Sequence, residues 1–219
     1  MQRGKPKRVA IALEVQWGYK RHLETYAGCQ RYADEAGWDC SITPTTTRLL
    51  TMHKGKPSFD GILARATPAL ASTAKRMKVP LVNLWLNSPA QNLPGVFADF
   101  ESSGSMAAEH LIGRGFKRFG YLGFLRDKDA GLQLTGFKNR LKTEGFRCAV
   151  HRFSRTSVTE KARGWKTFIN GLEEWVASWK PPVGILVVND LFCRYLIDVC
   201  RAKDLHVSQD VGIVGSSNE

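Results

Sequence analysis

Long hydrophobic runs are missing from this chain: nowhere do the ~18 consecutive apolar residues needed for a membrane-crossing helix occur. The basic start, Met1-Gln2-Arg3-Gly4-Lys5-Pro6-Lys7-Arg8, is followed by an apolar stretch that is short and carries Glu14. It reads as a strand rather than as the apolar centre of a secretion signal. A cytoplasmic protein with no membrane partner is the expectation. Cysteine is sparse and unclustered. Cys29, Cys40, Cys148, Cys193 and Cys200 are odd in number and include no CxxC pair. That excludes a disulfide framework and leaves no zinc-like grouping; reduced, buried thiols are the expected state. No GxGxxG follows a strand, and GxxxxGK[ST], HExxH and GxSxG are all absent. The five histidines are scattered, and Glu173-Glu174 reads as solvated helix surface. Nothing assembles a nucleophile, a base and an oxyanion donor. Neither catalysis nor a cofactor nor a metal is expected.

What the chain does have is the material for a core. Of 219 residues, 43% are hydrophobic and 24% charged, the balance of an ordinary globular protein. At about 150 residues per domain this allows one large or two small domains. Lys and Arg outnumber Asp and Glu by 32 to 20, giving a formal charge of +12. The positive charge is spread along the chain, with modest concentrations at 3–8 and 161–166. It reads as solvated surface more readily than as a nucleic-acid contact.

Short β-branched and aromatic runs at 8–15, 38–43, 59–64, 80–85, 118–124, 147–153, 183–188 and 211–214 predict strands. Most are continuously apolar, as in parallel sheets covered on both faces. Helical periodicity fills 19–36, 102–114, 132–143, 160–179 and 191–203. In the first of these, Leu23, Tyr26, Ala27, Tyr32 and Ala33 share a face, and Gly37 stops the helix. In the second, Ser102 or Ser103 is placed to cap, and Met106, Ala107, His110 and Leu111 form a stripe. Alternation of this kind predicts an α/β protein of βαβ units, arranged as two lobes divided at 113–117. The expected division is a basic segment 1–7, a first lobe 8–115 and a second lobe 116–219.

Ligands of such sheets bind beyond the carboxyl ends of the strands, in a two-lobe protein between the lobes. The polar residues at those ends are therefore the candidate site. Glu14, Gln16 and Trp17 follow the first strand, Arg65 the third and Asn87 the fourth. Asp99 precedes the Ser-rich helix, and Asn189-Asp190 ends the seventh strand. Carboxylates and amides suit the hydroxyls of a small polyol, and an aromatic face suits its carbons. Helix capping explains Asp99, Asn189 and Asp190 equally simply, and core packing explains Trp17 and Trp85.

The stretch Val96-Phe97-Ala98-Asp99 through Ala107-Ala108-Glu109-His110-Leu111-Ile112-Gly113-Arg114-Gly115-Phe116 resembles the lobe-joining region of LacI-type sugar-sensing domains. Trp17-Gly18-Tyr19-Lys20-Arg21, Arg31-Tyr32-Ala33, Gly37-Trp38 and Asp60-Gly61-Ile62-Leu63-Ala64-Arg65 are similar to the xylose-operon regulators in particular. So are Trp175-Val176-Ala177-Ser178-Trp179-Lys180-Pro181-Pro182-Val183-Gly184, Asp198-Val199-Cys200-Arg201 and Asp210-Val211-Gly212-Ile213-Val214-Gly215. The resemblance implies a two-lobe fold of the periplasmic-binding-protein type I, LacI-like kind, with parallel sheets and the second lobe incomplete at Glu219. It implies a cytoplasmic, homodimeric transcription regulator that binds a small sugar and acts on DNA by lobe closure. In the xylose-regulator group the DNA-binding part is a C-terminal AraC-type helix-turn-helix domain, which these residues do not contain. The implied sugar contacts are Glu14, Trp17, Arg65, Asp99, Gln133, Asn189, Asp190 and Ser217. Gln133 stands where the family has an arginine and Ser217 where it has an aspartate. One charge of each sign is thereby lost, and hydrogen bonding to hydroxyls is weakened. A stand-alone sugar-binding module of the transport or chemotaxis kind is the alternative, and an α/β enzyme a more distant one.

Overall fold

The computed structural model describes residues 5–13, 20–43, 57–159 and 162–216, and these form two compact units, Met1–Ala98 and Asp99–Glu219.

In the first unit, β1 (Arg8–Ala12), α1 (Lys20–Ala36), β2 (Asp39–Ile42), β3 (Gly61–Ala64), α2 (Pro68–Arg76) and β4 (Leu81–Asn83) follow one another. The four strands are parallel in the order β2-β1-β3-β4, with Ala10 between Ser41 and Ile62. Ala10, Ile62, Ala64, Leu70, Ala74 and Leu81 make the core. Ala10 and Ala64 of the central strands share that cluster with Leu70 and Ala74 of α2. The sequence pattern had no helix at α2, although its start is signalled locally. The side chain of Thr67 accepts from the Leu70 amide at 3.3 Å, and Pro68 sits at the first helical position, where a missing N–H costs nothing. The stripe expected on α1 is a weaker feature than its spacing implied. Ala33 is its buried residue, while Leu23 and Tyr32 are exposed and Tyr32 meets Trp38 edge-on at 5.4 Å.

The second unit repeats the same winding. Its strands are β5 (Phe119–Phe124), β6 (Cys148–Phe153), β7 (Val183–Val187) and β8 (Val211–Val214), parallel in the order β6-β5-β7-β8. All of β5 and β7 is buried, which is why both read as unbroken apolar runs, whereas β6 at the edge leaves Ala149, Val150 and Arg152 exposed. The helices are α3 (Phe100–Gly113), α4 (Lys128–Thr143), α5 (Arg155–Thr159), α6 (Ala162–Ala177) and α7 (Asp190–Ala202). The single helix expected at 160–179 is thus preceded by a separate short one. Its start follows a local turn in which Ser154 and Thr156 pair through their hydroxyls at 2.7 Å.

The division between units falls at Ala98/Asp99, not at 113–117. The reason is α3. A Cβ placed on Gly104 of α3 would come within 1.9 Å of the Gln133 carbonyl oxygen on α4. A Cβ on Gly136 of α4 would come equally close, 1.9 Å, to the Glu101 carbonyl of α3. Each helix lays a glycine against the other's backbone, so α3 belongs with the sheet that α4 covers. Its buried residues are accordingly Gly104, Ala107, Ala108 and Leu111, and the expected stripe members Met106 and His110 point outward, Met106 67% exposed. The cap is Asp99, not Ser102 or Ser103. Among the described residues no helix is long and apolar enough to cross a membrane.

Candidate functional site

In both sheets the chain winds outward from the first strand and then back across it, so β1 lies beside β3 and β5 beside β7. Each such reversal separates the loops above the strand ends and opens a crevice there. Glu14, Gln16, Trp17 and Ser217 lie outside the described residues. The remaining candidates occupy the rims of the two sheets.

At the rim of the first sheet, the Arg65 amide donates to Ala12 O at 3.4 Å, which fixes the end of β3 to that of β1. The Arg65 guanidinium lies over the Trp85 ring, 4.6 Å from its centroid. Trp85 is half-buried and serves as a platform for that cation. The platform is held by Asn83, a residue the sequence reading passed over. Its Oδ1 accepts from the amides of Ala66 (3.1 Å) and Trp85 (3.0 Å), and its Nδ2 donates to Trp85 O (2.9 Å). Ser88 is buried nearby, donating to Ala66 O and accepting from the Ala90 amide. Asn87 is half-buried on the same loop.

In the second unit Asn189 is the cap of α7, its Oδ1 accepting from the Phe192 amide at 3.2 Å. That leaves Asp190, the next residue, outside the capping position. Asp190 is half-buried and lies over Gly215: a Cβ there would come within 1.9 Å of Asp190 Oδ1 and 3.2 Å of Cys193 Sγ. The glycine after β8 is therefore what lets the carboxylate rest across the strand end. Burial, and then the negative charge of Asp190, push the Cys193 thiol up to about 12, so it stays protonated and unreactive at neutral pH. Ser216 closes this corner by donating from Oγ to Val188 O.

Asp99 and Gln133 complete the set. Asp99 is exposed; it accepts from the Ser102 amide (2.9 Å) and hydroxyl (2.7 Å), and those two bonds hold its carboxyl below the usual range. Gln133 is buried, and its Oε1 has no hydrogen-bond partner among the described residues. Asn189, Asp190, Gly215 and Ser216 thus stand together, whereas nothing described joins Asp99 or Gln133 to them. Gly215 could have been suspected from its place directly after a strand facing an Asp; Asn83 carries no such signal.

At the end of β5, Asp127 caps α4 through Ala130 and receives Arg155, whose Nε and Nη2 both donate to Oδ2. Tyr121, below it, donates its hydroxyl to Ala130 O at 2.9 Å. Among the described residues no cluster of three or more His, Cys, Asp or Glu could hold a metal.

The periplasmic binding protein-like domain family matches residues 108–219. The chain belongs to that family. Across 98% of its length this family member is 23% identical to the xylose operon regulatory protein of Escherichia coli K12, and it spans 56% of that relative. Its fold is that of a xylose-binding transcription activator, xylR, with a TM-score of 0.74 at 19% identity, covering 98% of this chain and 55% of the other. A LacI-type regulator from Alkaliphilus metalliredigens complexed with D-xylulofuranose shares the fold at a TM-score of 0.60 and 17% identity, covering 95% of this chain and 77% of that one. The α/β, LacI-like fold with parallel sheets is the one expected from the sequence.

Proposed function

We propose that this chain is the effector-sensing portion of a transcription regulator of carbohydrate use, responding to a small sugar. The observation that carries the reading is the corner built by Asn189, Asp190, Gly215 and Ser216 at the carboxyl ends of β7 and β8. A half-buried carboxylate there, following the fully buried β7, rests across the glycine that ends β8, and a carboxylate is the group suited to accept from sugar hydroxyls. Likeness along nearly the whole chain to a xylose operon regulatory protein supports the same reading. Arg65 on Trp85 supplies a second polar and aromatic rim in the first unit, and Asp99, Gln133, Glu14, Trp17 and Ser217 are assigned as further contacts.

Sugar binding shifts the population of the DNA-competent form; it needs no bond-breaking step and no cofactor. DNA contact is assigned to sequence outside these residues, the working state to a homodimer and the compartment to the cytoplasm. A thermal-shift screen of pentoses and hexoses tests the reading. One or more sugars should raise the midpoint of unfolding, and Asp190→Ala should abolish that rise. A shift that survives in Asp190→Ala removes Asp190 from the site, and the absence of any shift across the panel overturns the sugar-sensing reading.

A further inference from the structure

Positive charge that is spread along the sequence is gathered by the fold at the amino ends of β5 and β6. Two helix ends meet there, and they are built alike. α3 closes at Gly115 (φ +88°) and α4 at Gly145 (φ +77°). In each, the glycine amide donates three residues back, to Ile112 O (2.9 Å) and Lys142 O (3.0 Å). The amide of the phenylalanine that follows donates five residues back, Phe116 to Leu111 O (3.3 Å) and Phe146 to Leu141 O (3.0 Å). Both rings pack against the core cluster of that face. A bonded turn and an anchored ring therefore fix the residues that come next, and these are cationic: Lys117 and Arg118 in one turn, Arg147 in the other. Phe119 and Cys148 are register partners, so Arg118 and Arg147 stand directly before a matched pair on neighbouring strands. The Lys117 ammonium lies 5.4 Å from the Phe146 ring centroid and ties the two turns together.

Residues 109–118 and 140–147 carry six Lys and Arg against two Glu, a surplus of four positive charges. Both carboxylates, Glu109 and Glu144, sit on Arg140, at 3.1 and 2.9 Å. Arg114, Lys117, Arg118, Lys142 and Arg147 are exposed, and none forms an ion pair with a described residue. On the other side of Arg118, whose carbonyl accepts from the Gly184 amide at 2.8 Å, the loop before β7 adds exposed Lys180 and no acid. Helix dipoles account for Arg114 and Lys142 at the ends of α3 and α4, but not for Arg118 and Arg147, which lie beyond the helices. No exposed large hydrophobic side chain falls in either segment, so the face lacks the apolar centre that a protein partner needs. Its complement is a polyanion of repeated phosphates, which guanidinium forks match in geometry as well as charge. Duplex DNA presents one negative charge per about 1.7 Å of helix axis. We propose that the amino-end face of the second sheet binds the phosphate backbone of duplex DNA without reading its sequence. The choice of DNA as the polyanion rests on the regulator reading above, and sequence recognition stays with residues outside this chain segment.

Fluorescence anisotropy of a short labelled duplex of arbitrary sequence, titrated with the 219-residue chain across a salt series, tests the assignment. Dissociation constants should fall at about 1–100 μM near physiological salt, with a log–log salt slope of about −2.7 to −3.6, the value for three or four phosphates at about −0.9 each. Arg118→Gln and Arg147→Gln should each weaken binding about fivefold to tenfold at low salt and make the slope shallower by about 0.9. Arg126→Gln removes the same charge from an exposed position at the opposite end of β5 and should leave both unchanged. Arg118 and Arg147 are both exposed, so either variant keeps the test valid if the other fails to fold. The proposal is overturned if no duplex binds at low salt, or if Arg126→Gln costs as much as Arg118→Gln. It is equally overturned if polyglutamate of equal charge binds as tightly as the duplex, which assigns the face to an acidic protein instead. The sugar-sensing reading fails separately. Duplex binding without any sugar-induced thermal shift leaves this proposal standing and overturns that one, and a sugar shift without duplex binding does the reverse.

Discussion

Replacing Gly104 by alanine places a methyl group 1.9 Å from the Gln133 carbonyl oxygen. A carbon and an oxygen approach no closer than about 3.3 Å at rest, so α3 and α4 would have to part by roughly 1.4 Å along that line. A gap of that size forfeits a quarter to a half, or more, of the dispersion energy between the facing side chains. Here those are Ala107, Ala108, Leu111, Leu134, Phe137 and Leu141, all buried in one cluster. Overpacking of this kind costs about 1–3 kcal/mol, and the better helix propensity of alanine returns about 1 kcal/mol. The net loss is expected at about 2 kcal/mol when the contact cannot relax, or roughly 4–8 °C in the midpoint for a chain of this size. The comparison is Gly131→Ala, also within a helix, where nothing lies within 4 Å of the new methyl and a gain of about 0.5–1 kcal/mol is expected. Urea and thermal unfolding of both variants measure the difference. The double variant Gly104→Ala/Gly136→Ala should lose less than the sum of the two, because one separation of the helices accommodates both methyls. If Gly104→Ala proves as stabilising as Gly131→Ala, the close crossing is not a feature of the molecule and the division at Ala98 loses its physical basis.

Asn83→Ala should destabilise the first unit by about 2–4 kcal/mol in urea unfolding, since one buried and one part-buried amide lose their acceptor; an effect below about 1 kcal/mol would mean water replaces it. Gly215→Ala should reproduce the loss of sugar-induced stabilisation expected of Asp190→Ala while changing the unliganded midpoint little, because the clash falls on the tip of one side chain; unaltered sugar response would place Asp190 elsewhere. The carboxyl of Asp99 is held below its ordinary value by Ser102, so its support of α3 is complete above the unfolded value of 3.8 and fades as the pH falls through the lower folded one. Unfolding measured against pH should show wild type losing its advantage over Asp99→Ala at acid pH; an advantage that grows on acidification would contradict the assigned cap.

All eight strands were legible in the sequence, most plainly β5 and β7, where burial on both faces leaves a run of apolar residues that needs no partner to be recognised. The helices were less so. The start of α2 was written plainly at Thr67-Pro68, but a nine-residue, alanine-rich helix has too little periodicity to stand out. The stripe on α3 was misassigned because its buried face is built from Gly104, Ala107 and Ala108, small residues that hydropathy weighs lightly. The same blindness moved the lobe boundary: a helix gripped through glycines looks, in sequence, like a helix with no grip at all. The position of Asp190 directly after β7 could be read from the sequence, but the contacts of its neighbours could not. Asn189 and Asp99 do the capping, and Asn83 works through backbone groups distant in sequence, which no spacing rule anticipates.

The paired glycines of α3 and α4 also determine where this protein can change over evolutionary time. The backbone at position 133 is pinned by what stands opposite it, Gly104, and not by its own side chain. Mutational drift is therefore costly at 104 and 136, whereas at 133 the backbone carbonyl makes the contact and the side chain does not. Among diverging descendants of this gene the two glycines should be the fixed points, and the side chain at 133 should change before either of them.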